Sequence, residues 1–189
     1  MTHVATRMTI SFFPKVKPAA KVSPDIRAAA VDYVNRVNWL FETWDLEAMV
    51  DAFLPDARVF HFHGSLDGEK EIRTFLTETY PYLVPGVSRH ASNHIVDIEE
   101  SGLVAVRYQN LLVRHAEPEA AANLGAGQVI ETRELPALWL YSPMLDRLKA
   151  TGSGWKIAER HIGGSATNVR YTPADTSRAA MEPFLPKIS

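Results

Sequence analysis

Apolar residues in the first quarter of the chain recur at the spacing of a helix. From Ile26 to Phe41 they fall on one face at about 3.6 residues per turn. Just before them, Ser23-Pro24-Asp25 offers an N-cap serine, a first-turn proline and a first-turn acid, which are typical of a helix start. The pattern therefore predicts a long first helix that ends near Glu42 or Trp44.

The rest of the pattern alternates between helical and extended periods. The elements predicted next are a short helix over 45–53, a strand over 57–63, a turn over 64–68 and a third helix over 69–83. Four strands follow, over 88–98, 103–114, 135–149 and 154–162, and polar turns join them in two hairpins. This order predicts an α+β domain whose helices lie on one face of a mixed sheet.

The length of 189 residues fits one domain with flanking segments. We predict an N-terminal arm over 1–22, the domain over 23–164 and a C-terminal tail over 165–189. The tail carries several apolar residues among prolines, so it either covers the mouth of a pocket, packs on a neighbouring subunit or stays solvated. The Ala- and Gly-rich connection over 116–134 is either a lid or partly disordered.

Composition and charge exclude several classes of function. Hydrophobic residues make up 46% of the chain and charged residues 22%, which is typical of a globular protein. The net charge is -2 and basic residues are scattered, so we expect no nucleic-acid partner but a neutral or small anionic molecule. Without cysteine there is no disulfide, thiolate zinc site or iron–sulfur cluster. We recognise no signal peptide or membrane span, and expect a cytoplasmic protein without a membrane partner.

The order of elements resembles a known family. Together with the segments FETWDLEAMVDAFLPDARVFHFHG, SRHASNH and GWKIAERHIGG, it resembles the SnoaL-like, scytalone-dehydratase-like group of the NTF2-like superfamily over about 26–164. The resemblance implies a cone in which a strongly curved mixed β-sheet holds about three helices of the N-terminal half in its concave face. It also implies catalysis without cofactor or metal. Because the open face of such sheets commonly pairs with another copy, we expect a homodimer or homotrimer.

The resemblance also implies a set of catalytic residues. Glu42 falls where the family has a pocket carboxylate, and His90 in SRHASNH falls where it has the general-base histidine. His61 and Tyr108 take the positions of a pocket tyrosine and a pocket histidine, and with Asn110 they are the candidate proton donors. The candidate substrate-binding residues are His63, Phe41, Asn110, Trp139 and His161. Differences from the family pattern, such as Phe41 for a tyrosine and Ala137 for an asparagine, argue against scytalone as the substrate.

Chemistry and strand alternation bear on these candidates independently. A neutral imidazole accepts a proton near neutrality, and a carboxylate on its other nitrogen fixes its tautomer. His61 and His63 share a strand face with Val59, so they face a cavity if Val59 does; alternatively Phe60 and Phe62 form the core and the histidines face solvent. His90 and His94 share a face on an extended strand as well.

A metal site is a further alternative for the histidines. His61, His63, His90 and His94 are a conceivable ligand set, but the chain has no HExxH motif and no spacing of two histidines and a carboxylate. There is no GxGxxG, GxxxxGK[ST] or GxSxG motif either, which removes phosphate cradles and the usual α/β-hydrolase nucleophile. We therefore expect no metal and no nucleotide cofactor.

Two functions remain in competition. The first is a cofactor-independent acid/base lyase (dehydratase) or isomerase for a small, largely apolar cyclic or polyketide-like molecule, with a Glu-oriented histidine as the general base. The second is a non-catalytic module of the same fold that binds small molecules or assembles oligomers, since a fold does not determine a function. A contact between Glu42 and His90 inside one closed cavity would favour the first function.

Overall fold

Five α-helices and seven β-strands make up the part of the chain that the computed structural model describes, residues 13–16, 21–62 and 64–187. The helices are α1 (Pro24–Thr43), α2 (Leu46–Asp51), α3 (Gly68–Glu78), α4 (Pro118–Ala122) and α5 (Arg178–Met181). The strands are β1 (Phe53–His61), β2 (Gly64–Asp67), β3 (Val87–Ile98), β4 (Val104–Arg114), β5 (Ala137–Thr151), β6 (Gly154–Ile162) and β7 (Ala166–Thr167). Short 3-10 turns lie at Pro81–Leu83, Val169–Tyr171 and Glu182–Phe184.

The long first helix begins and ends as its sequence predicts. The Ser23 hydroxyl accepts a hydrogen bond from the Ile26 backbone N–H at 3.2 Å and so caps the first turn. At the other end Trp44 adopts a left-handed conformation with φ of 58°, and its N–H donates to the Leu40 carbonyl. This left-handed cap turns the chain sharply into α2, so the two helices form the predicted pair.

The strands form one strongly curved, mixed sheet. Its order is β2-β1-β6-β5-β4-β3, with β7 added beside β5. Neighbours are antiparallel except β1 and β6, which run parallel. α1 packs on β3 and β4 while α3 packs on β1, so these helices fill the concave face. The predicted α+β cone is confirmed.

Alternation along the strands places one set of apolar side chains under the helices. The concave face and the helices bury one core cluster that includes Val34, Met49, Val59, Ile72, Val96, Val106, Leu148 and Ile157. Burial of this apolar surface is the main stabilising contribution to the fold. The convex face holds the alternate positions of the same strands, including Arg58, Phe60, Arg147 and Glu159.

The segment from Gly64 to Asp67 differs from its prediction. We expected a turn there, whereas it forms β2 and pairs with β1 from Arg58↔Asp67 to His61↔Gly64. Gly64 and Asp67 favour a turn in the sequence pattern. An edge strand, however, depends mainly on backbone hydrogen bonds with its neighbouring strand. The third helix also ends early, at Glu78, and a 3-10 turn completes the predicted span to Leu83.

β3 changes face in its middle. Asn93 has a positive φ of 55°, and the pairing register with β4 shifts between Ser92 and Ile95. Such a bulge inserts an extra residue and breaks the alternation of side chains. His90 is therefore exposed on the convex face, whereas His94 stacks on the buried Tyr108 ring, with ring centroids 5.7 Å apart. The prediction that His90 and His94 share a face is wrong.

The C-terminal segment packs on the same chain. The Trp139 indole N–H donates to the Thr172 hydroxyl at 3.2 Å, and Arg178 forms an ion pair of 2.7 Å with Glu78 at the end of α3. Met181 is buried. The segment thus lies against the domain beside α3. Among the described residues, no helix has the length and apolar character needed to cross a bilayer.

Gly86, where the chain enters β3, gives a test of the fold. It has φ of +69°, and an added Cβ would lie 2.1 Å from the Ala116 carbonyl oxygen. Because left-handed strain and a backbone clash add, Gly86→Ala should lower the free energy of unfolding by about 2 to 4 kcal/mol. Gly102→Ala is the matched control: its φ is +82° but nothing lies within 4 Å, so it should lose only about 1 to 2 kcal/mol. Urea denaturation of both variants measures the difference, and equal losses would contradict the clash.

Candidate functional site

A cavity lies between the concave face of the sheet and the helices α1 and α3. Its volume is about 60 Å³. It is therefore a narrow space that suits a small ligand. Most of its wall is apolar, and its polar lining residues are Asn38, His61, Tyr80, Arg89, Asn110 and Arg160.

Arg89 is the most unusual group in this wall. β3 points its side chain inward, and only 7% of the residue is exposed. Nη2 donates to the Leu83 carbonyl at 2.6 Å and to the Tyr80 hydroxyl at 3.3 Å. Nε and Nη1 are buried and have no hydrogen-bond partner among the described residues. Arginine has five N–H donors, so the three on Nε and Nη1 are left over.

Aromatic rings hold the Arg89 guanidinium in place. Its central carbon lies 5.8 Å from the centroid of the Phe41 ring and 5.6 Å from that of the Tyr80 ring. The two rings meet edge to face at 5.2 Å. Cation–π attraction of this kind stabilises a guanidinium that has left water, although less than an ion pair does. Arg89 is therefore positioned without a neutralising partner.

Arg160 shows the opposite arrangement in the same wall. The side chain donates from Nε and Nη2 to the two carboxylate oxygens of Asp146, both at 2.7 Å, and the Tyr108 hydroxyl donates to Asp146 at 3.0 Å. Burial alone lowers the pKa of Arg160, but the Asp146 carboxylate outweighs it and the pKa is raised. Burial and Asp146 together raise the pKa of Tyr108 well above its ordinary value. Arg160 therefore stays protonated in the cavity wall, and the Asp146 carboxylate balances its charge.

His61 faces the cavity from the opposite side of the cone. It lies on β1 and shares the inward face with Val59, and 6% of it is exposed. Its ring lies 5.0 Å from that of Phe75, which lies 6.0 Å from that of Tyr80. β1 and β3 stand far apart in the strand order, so only the curvature of the sheet brings His61 and Arg89 to one cavity.

Asn110 contributes a second polar group without a partner. It lies on β4, in register with Ala91 of β3, and its side-chain oxygen is buried without a hydrogen bond among the described residues. Asn38 differs, because its amide nitrogen donates to the Val34 carbonyl of its own helix at 3.1 Å. A buried polar group that has lost its hydrogen bonds to water is costly. The two unsatisfied groups, on Arg89 and Asn110, therefore mark where a ligand is expected.

The predicted dyad is not formed. Glu42 accepts a hydrogen bond from the backbone N–H of Arg89 at 2.5 Å, while the His90 side chain is exposed on the convex face. β3 is the edge strand, and alternation sends the Arg89 side chain inward and that of its neighbour outward. Glu42 and His90 thus have no common cavity, and the expectation that the carboxylate orients this histidine is corrected.

The other predicted site residues divide by location. His61, Phe41 and Asn110 line the cavity. Tyr108 lies behind the wall, where its hydroxyl donates to Asp146. Trp139 belongs to a separate hydrophobic cluster, and the central carbon of the Arg114 guanidinium lies 4.2 Å from the centroid of its ring. His161 faces the convex side, stacks on Phe60 at 4.4 Å and binds Glu159, so its predicted role in substrate binding is corrected. His63 lies outside the described residues.

The sequence reasoning missed Arg89, Tyr80 and Arg160. Arg89 shares an inward face with Val87 and Ala91, two small apolar residues, and this alternation is visible in VSRHA. A charged residue on the apolar face of a strand is rare unless it is paired or functional. The alternation along this strand therefore favours Arg89 over His90 as the inward residue.

The donor groups in the cavity suit an anion better than a cation. Two guanidinium groups enter the wall, and among the described residues no three His, Cys, Asp or Glu side chains come together as metal ligands. A second, open cleft lies between α2 and the β5–β6 turn, but its cations already pair with acids, Arg73 with Glu47 and Lys156 with Asp51. The conical cavity is therefore the candidate site.

Comparisons with known proteins give a family and a fold. A family model described as a SnoaL-like domain matches residues 25–161. No curated protein matches significantly. Similar solved structures include a protein of unknown function with a cystatin-like fold from Nostoc punctiforme, which is 16% identical with a TM-score of 0.57, over 75% of this chain and 92% of that chain.

Two further structures come from Novosphingobium aromaticivorans. A proposed scytalone dehydratase is 15% identical with a TM-score of 0.52, over 75% of this chain and 86% of that chain. A proposed aromatic ring hydroxylase is also 15% identical, with a TM-score of 0.55, over 79% of this chain and 98% of that chain. At these identities the likeness shows the fold, and the reaction has to be argued from the site.

The burial of His94 leads to a prediction of how the stability of the fold depends on pH. Burial lowers its pKa below the ordinary 6.5, so below that pH the unfolded chain binds more protons than the folded chain. Stability should therefore fall from about pH 7 to about pH 5, and His94→Gln should make this fall shallower. Burial lowers the pKa of His115 as well, so part of the fall remains.

The control for this prediction is His90→Gln, on the exposed face of the same strand. Urea unfolding at a series of pH values should give the control the slope of the wild type. An unchanged slope in His94→Gln would contradict the assignment.

Proposed function

Because the chain belongs to the SnoaL-like domain family, we propose that it is a cofactor-independent lyase or isomerase for a small cyclic or polyketide-like molecule. The observation that carries this proposal is the pairing of a histidine and an arginine across one cavity. His61 faces the space from β1 and Arg89 faces it from β3. A proton acceptor and a group that stabilises negative charge on oxygen are what proton abstraction next to a carbonyl requires.

The proposed reaction starts at the carbon next to a substrate carbonyl. The His61 imidazole takes a proton from this carbon, and the electron pair of the broken C–H bond moves to the carbonyl oxygen. Arg89 and the Tyr80 hydroxyl at its Nη2 stabilise the enolate that forms. This arrangement replaces His90, the base predicted from the family pattern, with His61.

Two outcomes follow from the same enolate. In an elimination, the enolate expels a hydroxide from the β-carbon, and the proton on His61 joins it to form water. In an isomerisation, His61 returns the proton to another carbon of the conjugated system. The proposed scytalone dehydratase among the structural neighbours makes elimination the first reaction to test.

A second candidate is a non-catalytic module that binds a small molecule. One observation favours it: Glu42 is engaged by the Arg89 backbone, so the dyad expected for the family's base is not assembled. In this case Arg89 and Asn110 would recognise a ligand while His61 would act only as part of the wall. The two functions differ in whether bound molecules lose or move a proton.

Dehydration of 3-hydroxycyclohexanone to cyclohexenone tests the enzyme proposal, because the product absorbs in the ultraviolet. His61→Gln should lower kcat/KM by about 100-fold to 10,000-fold, since glutamine keeps the polar shape but accepts no proton. His90→Gln is the matched control and should retain the wild-type value. If the wild type neither dehydrates this ketone nor exchanges its α-protons in D₂O, the binding module becomes the working function. Equal rates in the wild type and His61→Gln would mean that another residue is the general base.

A further inference from the structure

The concave interior carries an excess of positive charge. Among the described residues, three arginines are buried, namely Arg89, Arg114 and Arg160, whereas the one buried carboxylate is Asp146. Asp146 neutralises Arg160 with two hydrogen bonds. Arg114 is fully buried, donates to the carbonyls of Pro85, Ala116 and Tyr82, and lies outside the cavity wall. Arg89 is thus the one of the three that is in the cavity wall and lacks a carboxylate.

Glu42 does not supply the missing charge. It is half-buried, and its Oε1 is engaged by the backbone N–H of Arg89 at the outer edge of β3. No ion pair within 4.0 Å joins its carboxylate to the Arg89 guanidinium in the described part of the chain. A buried guanidinium with three unused N–H groups is expensive unless an anion is bound to it during function.

We infer that the cavity binds a planar organic monoanion, with Arg89 as its anchor. This inference rests on the proposed function, in which Arg89 holds an enolate, and names the ligands that resemble this enolate: an organic acid or an already enolised 1,3-dicarbonyl compound. Each carries an anionic oxygen that can accept a hydrogen bond from the free Nε–H or Nη1–H groups of Arg89.

The walls define the rest of this ligand. The rings of Phe41, Phe75 and Tyr80 and the narrow space between the sheet and the helices favour a flat, single-ring molecule. Asn110 adds a polar contact further along, on the neighbouring strand. A ligand hydroxyl satisfies the Asn110 amide in either of its orientations, because a hydroxyl both donates and accepts. The ligand class is therefore a cyclic monoanion that carries a hydroxyl group.

The experiment is isothermal titration calorimetry of the full chain with four probes. The anions are benzoate and 1,3-cyclohexanedione, which is largely its enolate at neutral pH. Their neutral counterparts of similar shape are benzamide and 3-methoxycyclohex-2-enone. We expect at least one anion to bind at least about tenfold more tightly than its neutral counterpart, as for a charge-assisted hydrogen bond in a buried site.

Variants assign this preference to Arg89. Arg89→Met keeps the length and apolar stem of the side chain, and should abolish the preference for anions. Arg36→Met removes the same charge from the exposed surface of α1 and should keep it. Thermal unfolding gives the readout for a purely structural role: such a role would lower the Tm of Arg89→Met while the variant still preferred anions. That result would overturn the inference.

The ratio of anion to neutral-ligand affinity in the wild type also tests the inference without any variant. If both anions bind no better than their neutral counterparts, or do not bind at millimolar concentration, the inference is wrong. Binding of benzoate alone identifies a carboxylic acid, and binding of the dione alone identifies an enolised dicarbonyl. If the anions bind to the wild type and His61→Gln but no proton transfer occurs, the enzyme proposal fails while the anion site stands. If the wild type turns over 3-hydroxycyclohexanone but prefers neither anion, the anion site fails while the enzyme proposal stands.

Discussion

Positive charge that has been taken out of water is the constraint around which the concave side of this molecule is organised. Moving a guanidinium into a protein interior is costly unless hydrogen bonds and opposite charge replace its hydration. The structure meets this requirement in three different ways. Arg160 receives a carboxylate, Arg114 receives backbone carbonyls and the Trp139 ring, and Arg89 receives two rings and one carbonyl. The three solutions differ in how much hydrogen-bonding capacity each leaves for a ligand.

The architecture determines which partner each of these arginines receives. Asp146 and Arg160 occupy paired positions on β5 and β6, so the sheet itself aligns the ion pair. The 3-10 turn after α3 brings the Leu83 carbonyl to Arg89, and the following residues place carbonyls around Arg114. In the cavity wall, Arg89 is the arginine to which neither the sheet nor this turn supplies a counter-ion. The charge in the cavity wall therefore depends on how the helices pack against the curved sheet.

The sequence predicted the fold well and the site only in part. Apolar periodicity located α1 and the later strands to within a few residues, because their caps and hairpin turns are local signals. The face of β1 that carries His61 also followed from alternation. The face on which His94 lies did not, because the bulge at Asn93 reverses the alternation of the strand. Such features arise from pairing between distant segments, which a periodicity argument does not contain.

The bulge in β3 has an evolutionary consequence. Arg89 and His90 are adjacent, and their exposure to the cavity is decided by strand parity alone. An insertion or deletion of one residue between the start of the strand and Asn93 would exchange them, while the bulge absorbs the change and leaves the later half of the strand in register. A cavity with a buried guanidinium in its wall would thus become one that presents an imidazole in a single mutational step. Sliding this strand by one residue would thus change the chemistry of the cavity without a new side chain.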